Sequence, residues 1–192
     1  MKESNTLRSN KKSNTLRSNE KSNTLRSNNK AVAMRGILIA LALMLSYLES
    51  FIPTYIILPG VKLGLANIVT VFALYEFGLK DTFFICIARV VLSTLLFGNV
   101  LTLVYSLAGI LLSVVAMQLT KLLGLSIVTV SITGAVFHNL GQCLVAALIL
   151  RNAHVFYYFG FVMIIAFFTG LVIGLVAREV IKRMRELGGT YD

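Results

Sequence analysis

The chain has 192 residues, of which 57% are apolar and only 14% charged, with a mean hydropathy of +0.82. A soluble domain carries about 25% charged residues and could not hide this much apolar surface, so a membrane protein is implied. The net charge of +10 does not indicate nucleic acid: nine of the 18 Lys and Arg fall in the first 35 residues and four more between Arg178 and Arg185, which leaves no basic folded surface.

Residues 4–30 are a tandem nonapeptide, SNTLRSNKK, SNTLRSNEK and SNTLRSNNK. One Leu per unit cannot supply a core, so residues 1–31 are predicted to be a disordered cytoplasmic tail, either a basic tether to anionic lipid or a functionless duplication. Six apolar segments follow, at about 32–50, 62–78, 81–98, 100–121, 125–150 and 156–179, each near the roughly 20 residues that span a bilayer. They make residues 32–182 a membrane domain, with 183–192 a cytoplasmic tail. Between them lie Pro53 and Pro59-Gly60, then Gly78 to Asp81, Gly98-Asn99, Lys121 with Gly124, and Arg151-Asn152. The shortness of the Gly98-Asn99 break predicts a tight hairpin.

With the N-terminus inside, 15 basic residues flank the inner face and only Lys62 and Arg151 the outer. The positive-inside rule therefore predicts an all-α integral membrane protein, a six-transmembrane-helix bundle with both termini cytoplasmic, in the cell membrane. The connection from Ser50 to Gly60 is apolar though predicted to lie outside, which suits a lid or a segment dipping into the interface. Cys86 and Cys143 fall in apolar runs and read as small buried hydrophobes.

The polar residues inside the apolar body are few. Arg89 lies in the run Phe83 to Leu96, which is otherwise uncharged, and a guanidinium keeps its proton at any physiological pH. At mid-bilayer it costs at least about 2.5–3.5 kcal/mol, so such a residue usually faces a polar interior. Glu49 should sit near the outer end of helix one and Glu76 and Asp81 near the inner face, so no carboxylate is level with Arg89. Either Arg89 takes an anionic ligand through bidentate hydrogen bonds, or it bonds backbone carbonyls or reaches Glu49 or Glu76 by tilt.

In helix five His138, Asn139 and Gln142 share one face at spacings of three and four, and supply donors and acceptors for a bound molecule or for neighbouring helices. The approach to helix two, Pro59-Gly60-Val61-Lys62-Leu63-Gly64-Leu65-Ala66-Asn67, is either an anion-binding cap with Lys62 and Asn67 or an ordinary helix start. Gly36 and Ala40 in helix one, and Gly170 and Gly174 in helix six, are small-residue pairs that permit close packing within the fold or against a partner.

No Asp-rich cluster for Mg²⁺ and diphosphate, no HExxH, no P-loop and no GxSxG is present, so catalysis is unsupported, and neither a cofactor nor a metal site is predicted. Intramembrane acidic chains for proton coupling are missing too.

PGVKLGLANIVTVFALYEFG, IARVVLSTLLFG and GAVFHNLGQ, within roughly residues 32–180, resemble the bacterial membrane family of heptaprenyl diphosphate synthase component I, also called the Gx transporter family. That family is similar to the substrate-specific S components of energy-coupling-factor importers. The resemblance implies an S-component-like six-helix fold with a pocket near the outer face, capped by the first loop. Lys62, Asn67, Arg89, His138, Asn139 and Gln142 are the polar positions it carries into that pocket. Gly36 and Ala40 stand where an Ala-x-x-x-Ala motif would dock on a membrane coupling protein bearing two ATPases; the first position is Gly rather than Ala. The expected function is uptake of a small anionic metabolite. The enzyme name implies the alternative of a noncatalytic membrane partner for a soluble prenyltransferase subunit.

Overall fold

The computed structural model describes residues 24–26, 29–49, 51, 64–150 and 155–188, and every regular element among them is helical. The repeats up to Asn23, the connection 52–63 with Lys62, and Arg151 lie outside the described residues. Among the described residues six helices follow one another: α1 Thr24–Glu49, α2 Asn67–Glu76, α3 Leu79–Phe97, α4 Val100–Leu122, α5 Ile127–Leu150 and α6 Val155–Gly188. The chain divides into two compact units, 1–37 and 38–192; the first carries the start of α1 and the second the rest of the helices.

Among the described residues four stretches are long and apolar enough to cross a bilayer, namely Thr24–Glu49, Val100–Leu122, Ile127–Ile149 and Gly160–Glu186. α3 has 19 residues but carries Lys80, Asp81 and Arg89. α2 departs from expectation: the apolar run 62–78 yields a helix of only 10 residues. At 1.5 Å per residue that is about 15 Å, half of the roughly 30 Å hydrocarbon core. The reason is glycine at both ends. Gly64 (φ 73°) precedes a turn in which Asn67 N–H donates to Gly64 O at 2.8 Å, and Gly78 (φ 82°) breaks the chain before α3. Only glycine enters that region without strain. α1 also starts earlier than residue 32, at Thr24 in the third repeat, because extending a formed helix costs far less than nucleating one.

The other boundaries fall where the punctuation predicts. Asn99 caps α4 by accepting from Thr102 N–H at 2.8 Å, Gly124 (φ 74°) follows α4, and Ser126 accepts from Thr129 N–H at 3.2 Å to start α5.

α4, α5 and α6 pack through glycines. A Cβ on Gly141 would lie 2.7 Å from Ala108 O, one on Gly170 2.8 Å from Ile132 Cα, and one on Gly174 2.9 Å from Val128 Cα. The Gly170/Gly174 pair therefore packs within the fold. Hydroxyls bridge the same helices: Ser113 donates to Gly134 O at 2.8 Å and Ser131 to Gly170 O at 2.9 Å. In lipid, where apolar burial offers little drive, such close approach and interhelical bonding hold a bundle together. α3 joins through Cys86 and Val90 against Ile110 and Val114, and α1 through Leu38 and Ala42 against Val69, Ala73 and Ile85.

One end of the second unit gathers the basic groups. Lys121 Nζ donates to Leu74 O at 2.6 Å and lies 4.8 Å from the Tyr75 ring centre, holding the C-terminal end of α2. Arg185 Nη2 pairs with Glu76 Oε1 at 3.0 Å. At the opposite end Tyr47 packs on Phe51 and Phe97, with ring centres 4.7 and 5.7 Å away.

Candidate functional site

The register between α2 and α3 positions the central residues. Thr70 Oγ1 and Cys86 Sγ are buried 3.4 Å apart across the two antiparallel helices. Asn67 lies three residues before Thr70 and Arg89 three after Cys86, one turn each toward the open end of the hairpin. The two therefore come level with each other.

Around that level stand, among the described residues, one cation, Arg89, and one carboxylate, Glu49. Arg89 Nε is buried with no hydrogen-bond partner, and Arg89 has no ion pair among the described residues. Glu76 is taken by Arg185 at the far end of α2. Glu49 accepts a hydrogen bond from Gly64 N–H at the approach to α2. No side chain caps α2 at Ala66. The start of α2, with Glu49 on the Gly64 N–H just before it, thus lies at the level of Arg89 on α3. A short helix ending inside a bundle, with its N-terminus beside a cation, can neutralise an anionic group.

The α5 residues form a separate cluster. Gln142 Nε2 lies 3.2 Å from His138 Nε2, so these two share a face as their spacing predicts. Asn139 Nδ2 donates to Ala135 O of its own helix at 3.0 Å. The His138 ring sits on α4 at Gly109, where a Cβ would lie 2.8 Å from its Cε1. α5 packs mainly on α4, α6 and α2, whereas α3 packs on α1, α2 and α4. Among the described residues no hydrogen bond joins Arg89 or Asn67 to the α5 cluster. Lys62 lies outside the described residues.

On α1, Gly36 and Ala40 are both exposed, and a Cβ on Gly36 would meet nothing within 4 Å. This is the reverse of Gly170 and Gly174.

Sequence reasoning missed three features. Thr70 as partner of Cys86 carried a signal, since Cys86 stands one turn from Arg89 on the same helix. The carbonyl of Leu74 held by Lys121 carried none, because a backbone acceptor has no residue type. Gln118, whose Oε1 is buried without a partner, was visible as a lone amide within an apolar run of α4.

No curated protein and no solved structure matches the chain. The heptaprenyl diphosphate synthase component I family matches residues 38–180, from the start of the second compact unit to the basic end of α6. These residues carry the apolar helices, the Gly64 and Gly78 breaks and Arg89, and on that match the chain belongs to the family of heptaprenyl diphosphate synthase component I.

Proposed function

We propose that this multi-pass membrane protein is a substrate-binding subunit for uptake of a small anionic metabolite, driven by a membrane coupling protein and ATPase subunits in trans. In this reading all six helices span or line the membrane, both termini are cytoplasmic, and the fold is S-component-like. The single observation that carries it is the Arg89 Nε, buried without a hydrogen-bond partner, level with the start of α2. In hydrocarbon an unsatisfied polar group costs several kcal/mol, by order of magnitude, so its retention needs a use. Arg89 and Lys62 neutralise the anion, and Asn67, His138, Asn139 and Gln142 orient it. The ligand enters from the outer face, is covered by the first loop, and leaves inward when the bundle reorients. The exposed Gly36 and Ala40 are the face for the coupling protein.

A second reading is favoured by the family match: a noncatalytic membrane component of prenyl diphosphate synthesis, with a soluble prenyltransferase as its partner. Its ligand would also be an anion, so Arg89 alone does not separate the two. Partners do. Native mass spectrometry of the complex purified in mild detergent tests both: ATPases and a coupling protein support uptake, and a soluble Asp-rich prenyltransferase supports the second. Unchanged affinity for the co-purified anion in Arg89→Ala removes the pocket from either reading.

A further inference from the structure

A groove lined by basic side chains lies away from Arg89, at the basic end of the bundle. Between the start of α5 and the last turns of α6 is a groove of about 430 Å³, lined by Ile127, Arg178, Ile181, Lys182, Arg185 and Glu186. Its volume is within the range of roughly 300–1,000 Å³ typical of small-ligand sites. Its chemistry is divided. Ile127 and Ile181 give an apolar floor, and three cations stand against one carboxylate around it.

The cations are not equivalent. Arg185 is committed to Glu76 at 3.0 Å. Lys182 Nζ is 3.9 Å from Glu186, at the limit of an ion pair, with both side chains largely exposed. Arg178 has no ion pair among the described residues. Arg183, one residue along the helix from Lys182, donates to Glu179 at 2.9 Å and does not line the groove.

Height along the helix identifies the occupant. α6 carries no charged side chain from Val155 to Ala177, and Arg178 is the first. That uncharged stretch is roughly 35 Å long at 1.5 Å per residue, enough to cross the hydrocarbon core. Arg178 therefore stands where the helix leaves the acyl chains, at the plane of lipid phosphates, and Lys182 one turn further out. A soluble metabolite has no need of an apolar floor open at that height. A phospholipid matches both parts, with its phosphate on Arg178 and Lys182 and its glycerol and upper acyl carbons over Ile181 and Ile127. Basic pockets between membrane helices bind anionic headgroups in this way.

We propose that this groove is a site for one anionic phospholipid, held by Arg178 and Lys182. The full-length protein is incorporated into nanodiscs of phosphatidylcholine with increasing phosphatidylglycerol, and retained lipid is read by native mass spectrometry. The wild-type chain is expected to keep phosphatidylglycerol in preference to phosphatidylcholine. Each cation in contact with the headgroup contributes about fivefold in affinity, so Arg178→Gln with Lys182→Gln should weaken retention about 25-fold. Arg183→Gln removes one positive charge, outside the groove, and should leave retention unchanged. Equal losses in Arg183→Gln and the double variant would overturn the site in favour of diffuse attraction. So would undiminished retention in the double variant, or equal retention of phosphatidylcholine by the wild type. Displacement of the lipid by millimolar glycerol 3-phosphate would assign the groove to a free phosphate compound instead.

Discussion

The two sides of the second unit are built differently. In α4, α5 and α6 glycines bring backbones together, and serine hydroxyls donate to glycine carbonyls across both interfaces. Around α2 and α3 the contacts are larger side chains, the middle helix is half a span long, and polar atoms remain unsatisfied. Gln118 follows the same division: it shares a face of α4 with Val114 and Lys121, which pack on α3 and α2. Water is missing from the membrane interior, so an unsatisfied group persists only where something offsets it. One side is joined by close backbone approach; the other keeps polar atoms without partners.

The largest expected effect pairs one substitution at two places. Gly141→Ala pushes a methyl group to 2.7 Å from a backbone oxygen that cannot give, and should cost about 3 kcal/mol in a denaturant titration in detergent. Lys121→Met leaves Leu74 O without its partner at the C-terminal end of α2 and should cost about 1–2 kcal/mol. Gly36→Ala, the same change as at Gly141, meets nothing and should be neutral or gain up to about 1 kcal/mol of helix propensity. Ser131→Ala removes one interhelical hydrogen bond, worth about 0.6 kcal/mol in membrane proteins, and should lower the midpoint slightly. If Gly36→Ala destabilised as much as Gly141→Ala, the contrast between a buried scaffold and an exposed α1 face would fail.

Much of this was legible in the sequence because hydropathy and glycine act locally. The breaks at Gly78, Gly98-Asn99 and Gly124 end helices where they were read, and the hairpin of α3 and α4 follows from the shortness of its turn. The shortness of α2 was not legible. An apolar run looks the same whether it is one helix or a turn plus a half-span, and only the φ of Gly64 decides. At the site, spacing was enough to pair His138 with Gln142. It could not show that Asn139 folds back on its own helix, or that Glu49 turns to Gly64 N–H, since both use backbone partners. Nor could it show that Asn67 comes level with Arg89, because that depends on the α2–α3 register.

The most direct test is the stability of Arg89→Met measured with and without the anion that co-purifies with the wild-type chain. A guanidinium nitrogen buried without a partner is a cost in the empty protein, and removing it should raise stability by about 1–3 kcal/mol while abolishing stabilisation by the anion. A variant that is less stable when empty, or that is still stabilised by the anion, would contradict the assignment of Arg89 to a ligand.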